Sequence, residues 1–187
     1  MIDKKIGYLK TMRQLNSVIP HVKDLEEGLQ AGTDIILENI GFEYGRKQIE
    51  WGLSVCDILK IADNEGEFMT GESDPRKAAV ILHERYPNIS MFNITLGPEG
   101  SYHECGEGSV FVPAHIGSDT IETTGAGDVF GACVLHAVLE KGSTDMDAEE
   151  TERMLKFANS AAYLITTKKG ALRVMPEAEE IQELSGI

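Results

Sequence analysis

Short apolar runs alternate with amphipathic segments along most of this sequence, and that alternation limits the possible folds more than any other feature. The runs Asp57–Ala62 and Ile89–Leu96 each have the length and composition of a buried strand. Between them, Asp74-Pro75 is typical of a helix start, because aspartate caps a first turn and proline fits its first position. Strands that alternate with helices in this way predict an α/β sandwich with a mostly parallel sheet.

Further elements are predicted on both sides of this pattern. Two strands, Ser101–Cys105 and Ser109–Pro113, flank Gly106-Glu-Gly108 and predict a hairpin. Apolar residues at three- and four-residue spacing predict the helices. The remaining predicted elements are helices over 21–31, 44–55, 74–88, 125–142, about 147–165 and from 176 onward, a short helix after 62, and short strands over 34–37 and 172–175.

The composition fits one globular domain and excludes several classes of partner. The chain has 187 residues, 42% of them hydrophobic, which suffices for a sizeable core. Its formal net charge of −14 repels nucleic acid and anionic membranes, so neither is an expected partner. Cys56, Cys105 and Cys133 are dispersed, so neither a disulfide framework nor a zinc site is predicted. The chain shows neither an apolar run of roughly 20 residues nor a secretory signal, so we expect a cytoplasmic protein.

The most informative motif is Asp119-Thr-Ile-Glu-Thr-Thr-Gly-Ala-Gly-Asp128-Val-Phe, which opens a predicted helix. Gly125, Ala126 and Gly127 allow a tight turn, so unpaired amides and the positive end of the helix dipole converge where an anion can bind. Asp128, in the first turn of that helix, is placed to accept a proton from an attacking hydroxyl. For an isolated motif, the simpler interpretation is a tight turn in which Asp128 is an ordinary carboxylate favoured by the dipole.

The longer string resembles the C-terminal signature of the PfkB family of carbohydrate kinases, also called the ribokinase-like family. That signature reads D-T-T-G-A-G-D-x-F, and the chain matches it from Thr123 to Asp128 and at Phe130. The resemblance implies a ribokinase-like three-layer α/β/α sandwich in which Asp128 is the general base. Glu122 stands where the family usually has an aspartate associated with a monovalent cation, so such a cation is a further candidate cofactor.

Two other stretches resemble nucleotide-binding motifs of the same family. Asn64 and Glu67 follow the first strand as an N-x-x-E motif, which in the family orders magnesium and the nucleotide phosphates, so Glu67 is the implied metal ligand. The turn Thr95-Leu-Gly-Pro-Glu-Gly100 resembles the family's T-L-G-x-x-G turn, which implies that Thr95, Gly97 and Gly100 line the nucleotide site. Simpler interpretations remain open, namely a capping box for the N-x-x-E pair and an ordinary turn for the glycines.

A third stretch resembles the part of the family that lies near the adenine ring. Asn159 is similar to an asparagine carried on a helix there, and Lys168–Ala171 is similar to the loop that follows it. The simpler interpretation of Asn159 is a solvated helix residue. Lys60, in an otherwise apolar strand, is interpreted as an edge or snorkelling residue and is left out of the predicted site.

Together these motifs imply an ATP- and Mg²⁺-dependent carbohydrate kinase, fructokinase-like, that phosphorylates a sugar. The resemblance begins at Trp51, so 51–187 is interpreted as the nucleotide-binding region and 1–50 as a poorly matched segment. The chain resembles the C-terminal half of a family member, so we expect it to lack the N-terminal half and the small β lid that such a member carries. The alternative is a truncated, catalytically silent kinase fragment that keeps a residual nucleotide site and acts as an interaction module. Missing strands would expose a sheet edge, so a homodimer or other association at that edge is expected.

Overall fold

A computed structural model describes residues 42–104, 108–171 and 173–187 of this chain. The predicted helix over 21–31 and the predicted strand over 34–37 lie outside the described residues. The helices are α1 (Phe42–Leu53), α2 (Asp63–Thr70), α3 (Pro75–Arg85), α4 (Ala126–Lys141), α5 (Ala148–Thr166) and α6 (Ala178–Ser185). The strands are β1 (Ile58–Ala62), β2 (Met91–Thr95), β3 (Gly100–Glu104) and β4 (Ser109–Pro113), with a 3₁₀ turn over Gly97–Glu99.

The starts of α3 and α5 and the end of α4 lie where local side-chain chemistry predicts. The Asp74 side chain caps α3 by accepting the Arg76 N–H at 3.0 Å. Asp147 and Glu150 form a capping box at the start of α5, each carboxylate accepting the other residue's N–H at 2.9 Å. Gly142 ends α4 with a φ of 75°. Among the helices that the structure describes, none is long and apolar enough to cross a membrane.

The end of α3 differs from the prediction. The helix ends at Arg85 rather than at Asn88. The Asn88 side chain instead donates to the carbonyl oxygens of Leu53 and Cys56, at 2.8 and 2.7 Å. Asn88 therefore connects the turn after α1 to the turn after α3, which a local sequence pattern cannot reveal.

The four strands form one sheet in the order β1-β2-β3-β4. Strands β1 and β2 are parallel, whereas β2–β3 and β3–β4 are antiparallel. The predicted α/β class and the predicted hairpin are confirmed. The described part of the sheet has one parallel and two antiparallel pairings, so it is mixed rather than mostly parallel as predicted. The reason is that the hairpin adds two strands that alternate in direction beside a parallel pair.

Alternation along β2 sends its side chains into two separate cores. Phe92 and Ile94 are fully buried and pack with apolar residues of α1, α2 and α3. Met91 faces the other way and packs with apolar residues of α4, α5 and α6. Helices therefore cover both faces of the sheet, which confirms the predicted three-layer α/β/α sandwich.

The predicted strand over 172–175 is wrong. Residue 172 lies outside the described residues, and residues 173–175 form no strand. The Val174 N–H donates to the Ala171 carbonyl at 3.2 Å, which closes a turn instead. Gly170, just before it, has a φ of 107°, so the backbone reverses here rather than extending along the sheet.

A buried polar pair lies in the middle of the sheet. Asn93 of β2 and His103 of β3 are register partners that are 0% and 3% exposed. The His103 Nδ1 and the Asn93 Oδ1 are 2.9 Å apart, and with the amide oxygen facing the ring this nitrogen carries the hydrogen and donates. Burial lowers the pKa of His103 to about 4, against a smaller opposing effect of the Glu104 charge. The imidazole is therefore neutral near pH 7.

Candidate active site

The segments that carry the predicted motifs leave the sheet at one end. Ala62, the last residue of β1, is the register partner of Thr95, the last residue of β2. Gly100, which opens β3, is paired with Pro113, the last residue of β4. Helix α2, the turn after β2 and the loop that leads to α4 therefore all start from the same end of the sheet. In α/β sheets, ligands bind at this end, outside the carboxyl ends of the parallel strands.

The glycine motif forms a helix start suited to an anion. Gly125 caps α4 with a φ of 86° and a ψ of −6°, a left-handed conformation that favours glycine. The Val129 N–H donates to the Gly125 carbonyl at 2.9 Å, which sets the first helical bond. The amides of Gly127 and Asp128 precede that bond and have no carbonyl four residues earlier within the helix. They point at the space that an anion would occupy, and the Asp128 side chain is exposed on the same turn.

Glu122 holds this turn in place. The Gly170 N–H donates to its Oε2 at 3.2 Å, and its own N–H donates to the Thr166 carbonyl at 3.2 Å. The Thr124 side chain and the Gly170 N–H both bond its carboxylate and hold the pKa of Glu122 below its ordinary value. The charged carboxylate thus connects the turn before α4 to the segment after α5. The predicted monovalent cation beside it stays a prediction.

We expect Gly125→Ala to destabilise the fold and Gly127→Ala to leave stability nearly unchanged. The left-handed φ of Gly125 costs an L-residue about 1–2 kcal/mol, and a Cβ there would lie 3.0 Å from the Ala171 Cβ. Gly127 is helical, and a Cβ there would meet the mobile end of the Lys60 side chain at 2.8 Å. Urea unfolding of both variants measures the difference, and equal losses of stability would contradict this assignment.

The turn after β2 needs both of its predicted glycines. Gly97 has a φ of 54° and Gly100 a φ of 130°. A Cβ on Gly100 would lie 2.1 Å from the Val112 carbonyl oxygen, so only glycine lets β3 start this close to β4. The Thr95 hydroxyl donates to the Ile61 carbonyl at 3.4 Å, a long bond between the ends of β2 and β1. The turn is thus fixed at the sheet end, which fits either interpretation made from the sequence.

Asn64 and Glu67 lie on α2, at the end of β1, and both are exposed. The simpler interpretation of this pair as a capping box is wrong, because the Glu65 carboxylate, not that of Glu67, accepts the Ala62 N–H at 2.7 Å. The Asn64 Oδ1 accepts the Glu65 N–H at 3.0 Å and so stays within its own turn. Carboxylate and amide oxygens suit Mg²⁺, but the described residues contain no cluster of three or more His, Cys, Asp or Glu that could hold a metal. A magnesium ion here would depend on ligands from phosphates and water.

Asn159 is buried, so its interpretation as a solvated helix residue is wrong. It is 6% exposed, and its Nδ2 donates to the carbonyls of Val112 and Pro113 at 3.0 and 3.3 Å. These bonds hold the end of β4 against α5. The Tyr163 hydroxyl, one turn further along α5, donates to Asp119 in the loop that leads to α4. Helix α5 therefore positions the loop that carries the glycine motif.

Lys60 belongs to this site, although the sequence analysis left it out. Its neighbours Leu59 and Ile61 pack into the core of α1–α3, so its own side chain points to the opposite face, toward α4. Its Nζ lies 2.8 Å from the position that a Cβ on Gly127 would take. The sequence signal for Lys60 is a single lysine in an apolar strand. That signal cannot show that the side chain lies against α4, because this contact depends on how β1 and α4 pack.

Comparison with known sequences identifies the family. The sequence pattern of the pfkB family carbohydrate kinases matches residues 21–178 of this chain. The chain belongs to this family. The matched range contains every motif residue described above and extends upstream of Trp51, where the resemblance in motifs begins.

Individual relatives agree with this family in sequence and fold. Probable fructokinase-2 of Arabidopsis thaliana is 36% identical over 138 residues, which cover 72% of this chain and 40% of that protein. The structure of Arabidopsis thaliana ribokinase with ribose and ATP superposes with a TM-score of 0.62 at 25% identity, covering 74% of this chain and 43% of that one. The structure of a fructokinase double mutant from Vibrio cholerae O395, bound to fructose, ADP and potassium, superposes with a TM-score of 0.65 at 21% identity. The match covers 76% of this chain and 44% of that one. The ribokinase-like fold is confirmed, and the chain spans less than half of each of these relatives.

Proposed function

We propose that this chain carries the nucleotide-binding and catalytic part of an ATP-dependent carbohydrate kinase of the fructokinase type. The reaction would transfer the γ-phosphoryl group of ATP to a sugar hydroxyl. The observation that carries this proposal is the start of α4, where Gly125 sets the amides of Gly127 and Asp128 beside an exposed carboxylate. The ligands named for the two solved relatives, a sugar with ATP and a sugar with ADP, support the same substrate classes here.

The first turn of α4 supplies both parts of the chemistry. Asp128 would accept the proton of the sugar hydroxyl as that oxygen attacks the γ-phosphorus. The amides of Gly127 and Asp128, with that of Gly125, would stabilise the charge on the transferred group, aided by the helix dipole. The Ala126 N–H, which the resemblance also implies for this role, donates to the Thr123 carbonyl at 3.2 Å and closes the turn instead. Because phosphoryl transfer requires little covalent chemistry from the protein, positioning and charge stabilisation supply most of the catalysis.

The remaining predicted residues would hold the nucleotide. Mg²⁺, when bound, neutralises phosphate charge, and the exposed Asn64 and Glu67 oxygens at the end of β1 would orient it or its water ligands. The turn from Thr95 to Gly100 would line the nucleotide site. Asn159 would support this site indirectly, through its hydrogen bonds to the end of β4. A monovalent cation near Glu122 is proposed as a further cofactor.

Residues 51–187 form the nucleotide-binding region in this proposal, and the sugar is bound largely by residues that relatives carry ahead of it. The second candidate function is a catalytically silent fragment that keeps a residual nucleotide site and acts as an interaction module. The outer edge of β1 has no strand partner within the described residues, so association at that edge stays a prediction. Phosphorylation of fructose, measured in a form that joins this chain to the N-terminal half that its relatives carry, separates the two functions, because a silent fragment gives no turnover there.

We expect the chain to bind ATP-Mg²⁺ weakly, since the nucleotide motifs are present whereas the matched region is less than half of each relative described above. Calorimetric titration of the folded chain with ATP-Mg²⁺ measures the affinity. Adenosine serves as the control, because it has no phosphate for the α4 amides and should bind much more weakly. A folded sample that gives no heat with ATP would contradict the proposed function.

A further inference from the structure

Lys60 presents a positive charge to a surface that is already positive. Its Nζ lies at the first turn of α4, next to Gly127, whose amide and that of Asp128 point their hydrogens outward. The amino end of a helix carries about half an elementary positive charge, so an ammonium beside it is repelled. An anion that lies against both the ammonium and the amides would relieve this repulsion.

Nearby side chains do not neutralise this lysine. Among the described residues Lys60 forms no ion pair within 4.0 Å, with Asp128 or with any other carboxylate. Its register partner on the same face of the sheet is Asn93, which is uncharged, and His103 beyond it is neutral because burial lowers its pKa to about 4. The half-buried ammonium is therefore available to an external anion.

We propose that Lys60 binds the terminal phosphoryl group of the nucleotide and stays in contact with it during transfer. This inference rests on the proposed function. Asp128 lies one residue from Gly127, so a hydroxyl that gives its proton to Asp128 must attack a phosphorus held at this same turn. That phosphorus is the terminal one. In the step, the sugar oxygen forms a bond to it, the bond to the β–γ bridging oxygen breaks with its electrons to release ADP, and the proton passes to Asp128.

The ammonium would act as a point charge beside the directed amide hydrogens. An ammonium–phosphate contact is a charge-assisted hydrogen bond, the stronger class of such bonds. Its strand pairs with β2 and so places the base of the side chain against α4, within reach of a phosphoryl group at the α4 amides. If instead Lys60 only keeps its charge in water, as the sequence analysis assumed, the ammonium contributes nothing to nucleotide affinity.

The test compares Lys60→Gln with Lys77→Gln by calorimetric titration with ATP-Mg²⁺ and with ADP-Mg²⁺. Lys77 is exposed on α3, on the opposite face of the sheet, so its variant makes the same change in net charge away from α4. We expect Lys60→Gln to weaken ATP binding by about 10- to 100-fold, the loss of one charged hydrogen bond. The ADP affinity of this variant should stay within about twofold of that of the unaltered chain, because ADP lacks the phosphoryl group that Lys60 contacts. A twofold change is smaller than the effect of losing one hydrogen bond. Lys77→Gln should change neither affinity.

Each other outcome contradicts a specific part of the proposal. If the unaltered chain binds ATP and Lys60→Gln binds it equally well, the role of Lys60 is wrong and the proposed function stands. Equal weakening of ATP and ADP binding would overturn the assignment to the terminal group. If the folded, unaltered chain binds no nucleotide, both proposals are wrong. Lys60→Met keeps the length of the aliphatic stem and is judged by the same ATP-to-ADP ratio if Lys60→Gln unfolds.

Discussion

Asp128→Asn is expected to lower turnover by about 10²–10⁴-fold, the usual contribution of a general base, while leaving nucleotide affinity nearly unchanged. Asparagine has the same size and still fits the first turn of α4, but it cannot accept the proton of the attacking hydroxyl. The exposed position of Asp128 means that the fold does not depend on its side chain. Turnover is measured in a form that joins this chain to the N-terminal half that its relatives carry, and ATP affinity in the chain itself.

The matched control is Asp145→Asn. Asp145 is exposed in the loop between α4 and α5, so its variant makes the same change in charge without touching the start of α4. We expect this control to retain normal turnover. If Asp128→Asn also retained near-normal turnover with an unchanged melting temperature, Asp128 would be an ordinary first-turn carboxylate and the general base would have to be another group.

Most of the described fold could be predicted from sequence because its signals are local. The Asp74-Pro75 pair begins α3, and glycine at 142 ends α4, since both act through the backbone of a single turn. Elements that depend on long-range contacts could not be predicted in this way. Asn88 does not end a helix because its amide is used on two carbonyls more than thirty residues away. The apolar residues over 173–175 form no strand, because the turn after Gly170 keeps them from pairing with the sheet.

The candidate site shows the same division. Gly125 could be predicted because a left-handed turn at a helix start requires a residue without a Cβ. The burial of Asn159 could not, since its partners are carbonyls of β4 and no pattern within α5 reveals them. From sequence alone Lys60 is interpreted as a solvated residue, because one lysine in an apolar strand usually is. Its place against α4 depends on the packing of two elements that are more than sixty residues apart.

Acidification is expected to destabilise the fold through His103. The folded-state pKa of about 4 lies below the ordinary value of 6.5, so between these values the unfolded chain takes up a proton that the folded chain refuses. The contribution is fully present above about pH 6.5 and is lost progressively as pH falls toward 4. At about 1.4 kcal/mol per pKa unit, the total loss is about 3 kcal/mol, of which about 2 kcal/mol falls between pH 7 and pH 5.

Urea unfolding at pH 7 and pH 5 measures this effect, with His103→Gln as the test variant. Glutamine can still hydrogen-bond Asn93 but does not titrate, so its free energy of unfolding should fall by about 2 kcal/mol less than that of the unaltered chain over this interval. His136→Gln is the control, because His136 is exposed on α4, with a side chain 60% accessible, and its removal should leave the pH dependence as it is. Equal pH dependence in the unaltered chain and in His103→Gln would show that His103 is not the group whose protonation opposes folding. Carboxylates such as Glu122, whose pKa is lowered in the folded chain, lose their stabilising charge only at more acid pH, so they do not contribute to the change between pH 7 and pH 5.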